Sequence, residues 1–503
     1  MIKAIKLDPK RTILDLKIGS LYIAKYKNRR FYLNENIKAE TKQEFNEGEL
    51  RAVRISKIQI PDTVVIEVVN DEFVIAQDNI VPLKDDEPTT QIPEKFKPVT
   101  KSFSWDNKTL EDMRPGFEKA TVAIRKAIFT KQPIILRHHS DVDGYIGGMC
   151  LDRAIKPILQ KEHGDYVFRF YSKHASKTPF YDYVDATKDI EFALNNSKRF
   201  GHKTPLIVLI DLGSGEENLT SIEMARIFGA KVIVIDHHYA GELVDGKSKV
   251  CKPANIHINP FLKGSDSRWT GGMLGYEMAR MINKDTNYID ILPGISGIAD
   301  KSFLYEEEIF GHYIGLARKQ GYTFEYMQKL VQVIDFETQS VKYLDIGTIM
   351  DELLGYNDQA QKAFVDLIYP KIQAAKDKII HVAEKFAQVD ENDRFRTILL
   401  DIEKCSLSGE YPVPRTVVAT THDYFKEKDS KGTITIGKLW NMLIFRCDGV
   451  DNFDVNEILR KLREELPQSL ADGGGHAAAG AIKYIGATEE EVMALVKGYI
   501  NNL

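Results

Sequence analysis

Pro133-Ile134-Ile135-Leu136-Arg137-His138-His139-Ser140-Asp141-Val142-Asp143-Gly144 decides the fold of most of this chain. Ile134-Ile135-Leu136 is short, branched and apolar without alternation, which predicts a parallel strand buried on both faces. An Asp-x-Asp pair follows it almost directly. The pattern recurs twice: Leu206-Ile207-Val208-Leu209-Ile210 runs into Asp211, and Val232-Ile233-Val234-Ile235 runs into Asp236-His237-His238. In an open parallel sheet the C-terminal strand ends share one edge, and ligands bind there. A single Asp at a strand end usually caps the next helix, and a lone histidine pair is usually structural. Acids and imidazoles at three strand ends together predict a shared cation site. Oxygen and nitrogen donors suit Mn²⁺ or another first-row divalent ion better than Ca²⁺ or a thiolate zinc site.

The chain has 503 residues, too many for one ordinary core, and length alone predicts about three domains. At 43% hydrophobic and 28% charged it has the composition of a soluble globular protein. Its apolar runs are far too short to span a membrane, and Met1-Ile2-Lys3-Ala4-Ile5-Lys6 lacks a signal-peptide core. Cys150, Cys251, Cys405 and Cys447 are widely spaced with no Cys-x-x-Cys, so free thiols in a reducing cytoplasm are expected. The net charge of −5 argues against a general basic coat. A cation-bearing crevice can still be locally positive on an acidic protein.

Organisation follows from composition shifts. Residues 1–83 read as a small β domain with short runs at Leu21–Ala24, Arg30–Leu33, Leu50–Ile55 and Thr63–Val69, which fits an OB-type barrel. Lys25, Lys27, Arg29 and Arg30 interleave with Tyr22, Tyr26, Phe31 and Tyr32, a pattern on which bases could stack while cations meet phosphate. Some of these aromatics would equally serve as core. Residues 84–109 begin with a polar, proline-bearing linker. Residues 110–302 alternate helix and strand, including a helix at Phe117–Lys131, a β-like run at Val167–Tyr171 and a helix near Asn218–Phe228. Residues 303–390 read as a helical connector. Residues 391–503 return to α/β, with strands expected at Thr397–Leu400, Val417–Thr420 and Trp440–Arg446. A last helix is expected at a Thr488-x-x-Glu491 capping box.

A second signature lies in Asp472-Gly473-Gly474-Gly475-His476-Ala477-Ala478-Ala479-Gly480. Three glycines let the backbone approach a ligand and expose N–H groups. A helix is expected to start here and add its positive end, with His476 as a further donor to phosphate. Arg446, ending a strand upstream, could supply a guanidinium fork or an ordinary surface ion pair.

Together these residues resemble the DHH phosphoesterase superfamily, and within it the RecJ-like nucleases of archaeal type. Asp141-Val142-Asp143-Gly144 resembles its first motif, Asp211-Leu212-Gly213 its second, Asp236-His237-His238 the third and Asp300 the fourth. Asn259-Pro260 sits where the family often carries that pair. Arg446 and Gly473-Gly474-Gly475-His476 resemble the DHH-associated substrate-binding domain. The resemblance covers roughly residues 130–500. It implies two Mn²⁺ ions, with Mg²⁺ or Co²⁺ as substitutes, and a substrate phosphate gripped across a cleft. Asp141, Asp143, Asp211, His237 and Asp300 would be ligands, with Asp211 bridging. His238 would face the phosphate, and Asp236 would support the site from behind. Several branches place a ligand histidine where this chain has Arg137. His139 takes that role in this reading, with His138 as the alternative.

Two cations would clamp a phosphodiester and lower the pKa of a water between them. The function implied is hydrolysis of single-stranded DNA or RNA from an end. Short oligonucleotides or cyclic dinucleotides are the alternative substrates. A replisome or repair scaffold with little nuclease activity is the alternative of a different class, and replication or repair proteins are expected partners in either case. The presence of every required carboxylate favours the enzyme.

Overall fold

A computed structural model describes residues 21–27, 30–33, 38–40, 50–59, 63–68, 92–178, 180–302, 307–340, 347–356, 358–407 and 411–503. The chain separates into two compact units, Met1–Gln91 and Ile92–Leu503.

In the first unit five strands, β1 (Leu21–Lys27), β2 (Arg30–Tyr32), β3 (Lys38–Glu40), β4 (Leu50–Gln59) and β5 (Thr63–Val68), close a barrel in the order β1-β2-β3-β5-β4. Only β3 and β5 run parallel. A register shift between Ile55 and Lys57 bends β4 against β5. The three-residue β3 was not expected from the sequence. The side chains of the basic, aromatic stretch Tyr22–Tyr32 and the linker segment 84–91 lie outside the described residues.

The second unit opens with α1 (Lys108–Phe129), which starts nine residues before the expected Phe117 because the Asn107 side chain caps it, accepting from the Thr109 amide at 2.8 Å. There follow β6 (Ile134–His139), α2 (Val142–His163), β7 (Tyr171–Ser176), α3 (Tyr183–Phe200), β8 (Leu206–Ile210), α4 (Leu219–Ile227), β9 (Lys231–Ile235) and β10 (Ile256–Ile258). The five strands form a parallel sheet in the order β10-β9-β8-β6-β7. Alternate residues of β6, β8 and β9 enter two different cores, Ile134, Leu136, Val208 and Ile210 on one face, Ile135, Ile207 and Leu209 on the other. Both faces are covered, which is why these strands read as continuous apolar runs. The order of connection reverses between β6 and β8, so a crevice opens where these two neighbours end.

The expected strand at Val167–Tyr171 is displaced. Gly164–Arg169 is a 3₁₀ turn, and β7 begins only at Tyr171. The helices α5 (Gly271–Ile282) and α6 (Leu292–Ala299) then pack beside α2. Helices α7 (Glu307–Lys319), α8 (Phe324–Ser340), α9 (Gly347–Asp351) and α10 (Asp358–Phe386) follow.

The C-terminal part holds β11 (Gln388–Glu391), β12 (Phe395–Asp401), α11 (Ile402–Cys405), α12 (Pro414–Lys426), β13 (Gly432–Leu439), β14 (Met442–Asp448), α13 (Val455–Glu465), β15 (Asp472–His476), β16 (Ala479–Lys483) and α14 (Glu489–Asn501). Its six strands form a mixed sheet in the order β11-β12-β13-β14-β16-β15. Three expectations are corrected here. Val417–Thr420 is helical: Pro414 suits the first turn, and burial of Val417, Val418 and Thr421 overrides β-branched preference. Trp440 and Asn441 form the turn between β13 and β14, not the start of a strand. Thr488 precedes α14 but makes no side-chain cap, its hydroxyl donating instead to the Ile485 carbonyl at 2.8 Å. Among the described residues no helix is long and apolar enough to cross a membrane.

Candidate metal centre

The end of β6 supplies the first side chains. His139 Nδ1 lies 2.9 Å from Asp141 Oδ2 and 3.6 Å from Asp211 Oδ2. Asp141 does cap α2, its Oδ1 accepting from the Gly144 amide at 3.0 Å, and turns its other oxygen to the cluster. His138 points to the opposite face. Its ring packs on Tyr145 at 4.7 Å between centroids, and burial drives its pKa down to about 3. The structure therefore brings His139, and not His138, to the carboxylates. Arg137 shares the face of His139 but is held one step back by a two-pronged pair with Asp189 at 2.8 and 2.7 Å.

Asp211 stands at the centre. It follows β8 with a φ of 59°, in the left-handed region that few non-glycine residues adopt and that aspartate tolerates better than most. Its Oδ1 lies 3.0 Å from His237 Nε2 and 3.7 Å from His238 Nδ1. His237 Nε2 is also 3.4 Å from both Asp143 Oδ2 and Asp300 Oδ2. Four overlapping donor sets result, each with ligand atoms within 4.8 Å of one another. Two of them, His139–Asp141–Asp211 and Asp143–His237–Asp300, gather the strand-end acids. Asp211 touches both.

The local sequence fixes these atoms. Asp143 accepts from the Gly271 and Gly272 amides at 2.6 and 2.7 Å and from the Ser296 hydroxyl. Gly271 must be glycine, since a Cβ there would fall 2.5 Å from Asp211 Cβ and 2.9 Å from Asp143 Oδ2. His237 Nδ1 donates to the Ser267 carbonyl at 2.9 Å, which leaves Nε2 to face the acids. Asp236 is saturated: Oδ1 accepts from the His237 amide and from His238 Nδ1, both at 2.8 Å, and Oδ2 accepts from the Ser214 amide at 2.9 Å. It orients the loop and adds no free oxygen. Asn259 completes this support, its Nδ2 donating to Ser214 Oγ and to the His238 carbonyl at 2.8 and 2.9 Å. Ser214, Ser267, Gly271 and Ser296 were not foreseen. Small polar residues and glycines carry no signal until the fold places them beside charge.

The electrostatics are those of crowded acids. Burial raises Asp143 well above the usual carboxylate range, and the neighbouring Asp211 and Asp300 push it further. Burial likewise raises Asp300 to about 6 against the pull of His237. Burial works against charge on His139, yet Asp141 and Asp211 lift it to about 10. Both Asp211 oxygens, His237 Nε2 and His139 Nδ1 are buried without a hydrogen-bond partner. Their close approaches are contacts of charge, not aligned hydrogen bonds. Orphaned acceptors converging in one buried crevice fit divalent cations bound by oxygen and nitrogen.

The C-terminal sheet meets this cluster from the other side. Gly473–Gly475 do not begin a helix, as the sequence suggested. They form the edge strand β15, at φ values of 135°, 131° and 147°. A Cβ on Gly473 or Gly475 would lie 2.2 or 2.5 Å from a carbonyl oxygen of β16, so only glycine can pair there. At the strand's end His476 reaches the cluster, its ring 5.6 Å from His238 and its Nε2 3.9 Å from Asp300 Oδ2. Burial and the His237 and His238 imidazoles hold it down at about 3, that is, neutral. Arg446 pairs with Ala479, which pairs with His476, so the two share one row of the sheet two strands apart.

No family model matches the chain. Uncharacterized protein MJ1198 of Methanocaldococcus jannaschii is 36% identical over 425 residues, covering 80% of this chain, and the chain spans 56% of the length of that relative. A solved DHH domain, described as coming from a member of a family of ribosomal proteins, is 32% identical, with a TM-score of 0.77 over 81% of this chain and 95% of its own. RecJ from Thermus thermophilus, solved in complex with Mn²⁺, has a TM-score of 0.53 at 15% identity, over 77% of this chain and 55% of its own, a likeness of fold alone. The chain belongs to the DHH superfamily and has its RecJ-like fold.

Proposed function

We propose that this protein is a metal-dependent phosphodiesterase that hydrolyses single-stranded DNA or RNA. The observation that carries the reading is the pair of donor sets joined at Asp211, with both Asp211 oxygens lacking any other partner. His139, Asp141 and Asp211 would hold one ion, and Asp143, His237 and Asp300 the other, with Mn²⁺ the ion best matched to the donors and Mg²⁺ or Co²⁺ as substitutes. Bound there, the ions would supply charge against the phosphoryl oxygens and an acidified water. The chain's own residues do the rest. Ser267 fixes the His237 tautomer, and Asp236 holds His238 with Nε2 turned away from it. The His238 pKa is raised: burial opposes the charge, but Asp236 favours it, so its ring can donate to a phosphate oxygen. His476 and Arg446, on a separate sheet, would bind the same phosphate from the opposite side. The five-stranded barrel, read as an OB-type module, would hold the rest of a long strand.

The test is digestion of end-labelled single-stranded DNA and RNA with Mn²⁺, with chelator, and with Asp211→Asn. Metal-dependent release of short products, lost in the variant, is expected. Intact substrates under all metal conditions would reject the reading.

A further inference from the structure

One cationic face beside the cluster has no part in the centre just described. Helix α12 packs over the connector, and its first turn carries Arg415 and Thr416. Arg415 is paired with Asp335 on α8, with its side chain 38% exposed. Thr416 donates to Gln339 Oε1 at 3.2 Å, and the Gln339 amide nitrogen is buried without an acceptor. On the same helix Asp423 meets Lys301 at 4.0 Å, and Lys301 immediately follows Asp300 of the cluster. From α10, Lys376 donates to Gln332 at 2.6 Å. Three elements thus bring Arg415, Lys301 and Lys376 to one side of the metal centre, with Asp335 and Asp423 as the facing acids.

The charges interact. Burial lowers the Lys376 pKa; Asp423 and Asp335 oppose this, and Lys301 adds to it by like-charge repulsion. Arg415 stands within electrostatic reach of Asp141. Arg415 also feels Asp300. Arg415 and Lys301 are paired with Asp335 and Asp423, while Lys376 meets the neutral Gln332, so a cation without a carboxylate partner in hydrogen-bond range stands beside two paired ones. A planar guanidinium bonded to Asp335 through Nη2 has five N–H donors in all, more than that one contact uses.

We propose that Arg415, flanked by Lys301 and Lys376, forms a second phosphate subsite, which receives the nucleic-acid phosphate adjoining the one at the metal centre. This rests on the phosphodiesterase reading and sharpens it: the substrate is a chain of at least two phosphates, and isolated diesters are poor substitutes.

Wild type, Arg415→Ala, Arg415→Lys and Lys376→Gln are compared in the full chain, with equal melting temperatures required. Hydrolysis with Mn²⁺ is measured on a short oligothymidylate and on bis(p-nitrophenyl) phosphate, which has one phosphate. Binding of the labelled oligothymidylate is measured in chelator across a range of salt. In Arg415→Ala the ratio of kcat/KM for oligothymidylate over the single diester should fall by about tenfold or more, as for loss of a charge-assisted contact. The slope of log affinity against log salt should become shallower by about 0.7, one phosphate contact on a single strand. Arg415→Lys should recover the slope and part of the ratio, and Lys376→Gln should lower the slope without touching the Asp335 pair. An unchanged ratio and slope in an active enzyme overturns the subsite alone. Weakened binding in Arg415→Ala, with no hydrolysis by wild type, keeps the subsite and overturns the nuclease reading. Failure of wild type to bind the oligothymidylate overturns both.

Discussion

Asp211→Asn isolates charge from shape. Asparagine keeps the volume of aspartate and is among the few residues that accept the left-handed region, so the φ of 59° survives. What disappears is the anion between His237 Nε2 at 3.0 Å and His139 Nδ1 at 3.6 Å. Loss of a residue that only orients a metal ligand weakens binding by about 10–100-fold, so loss of the shared ligand should cost at least about 100-fold. Wild type at a metal concentration about 100 times Kd is stabilised by about 2.7 kcal/mol, and a site weakened 100-fold keeps only about 0.4 kcal/mol. The unit Ile92–Leu503 has about 400 residues and an unfolding entropy of about 0.85 kcal/mol/K. Added Mn²⁺ should therefore raise Tm by about 3 °C in wild type and by less than about 0.5 °C in the variant. Turnover should fall by about 10³-fold, the equivalent of about 4 kcal/mol. Differential scanning fluorimetry with and without Mn²⁺, run beside the digestion assay, reads both. A variant that keeps the full thermal shift and near-normal turnover would refute the role of Asp211 between two ions.

Three further outcomes are expected. Mn²⁺ must displace protons from His139, held at about 10, and from Asp300, held at about 6, so affinity should rise with pH, more steeply below pH 6 than above it. Titration calorimetry across pH measures this, and a flat profile would contradict the ligand set. Gly475→Ala places a Cβ 2.5 Å from the Ala479 carbonyl at a φ of 147°; it should strain β15 by about 1–3 kcal/mol and lower turnover, while Mn²⁺ binding measured directly stays intact. Asp448 accepts from His422 at 3.1 Å and Lys426 at 2.7 Å, which holds its pKa below that of an unfolded carboxylate. Its contribution is complete above the unfolded pKa of about 3.9 and fades as pH falls through the folded value. Asp448→Asn should thus lower stability in urea by on the order of 1–2 kcal/mol at pH 7, with a smaller gap in acid.

Strands β6, β8 and β9 were legible because helices cover both sheet faces, which forces an unbroken apolar run. The acids after them were legible because parallel topology sends those ends to one edge. Where long-range packing decides, the sequence misleads. Val417 and Val418 favour a strand locally, but the surface they must cover belongs to a helix lying on β13. Gly473–Gly475 carry the composition of a turn, yet pairing with β16 makes them a strand whose register is visible only in three dimensions. The choice between His138 and His139 turned on strand alternation and on the space beside Gly148, where a Cβ would fall 2.6 Å from the His138 ring. The supporting shell, Ser214, Ser267, Gly271 and Ser296, comes from three separate segments whose convergence has no sequence period.

The two sides of the centre differ in stiffness. Asp211 extends from β8, an inner strand of a parallel sheet whose five residues are each at most 1% exposed. His476 ends an outermost strand of three glycines, bonded in the sheet order to β16 alone, with Asn456 Nδ2 of α13 donating to the Gly475 carbonyl at 3.0 Å from its outer side. The centre is thus an anvil facing a spring. On the phosphodiesterase reading, the carboxylate side would stay fixed while the imidazole opposite gives way to substrate and product. Amide hydrogen exchange should register that contrast directly, with Gly474 and Gly475 exchanging well before Val208 and Leu209.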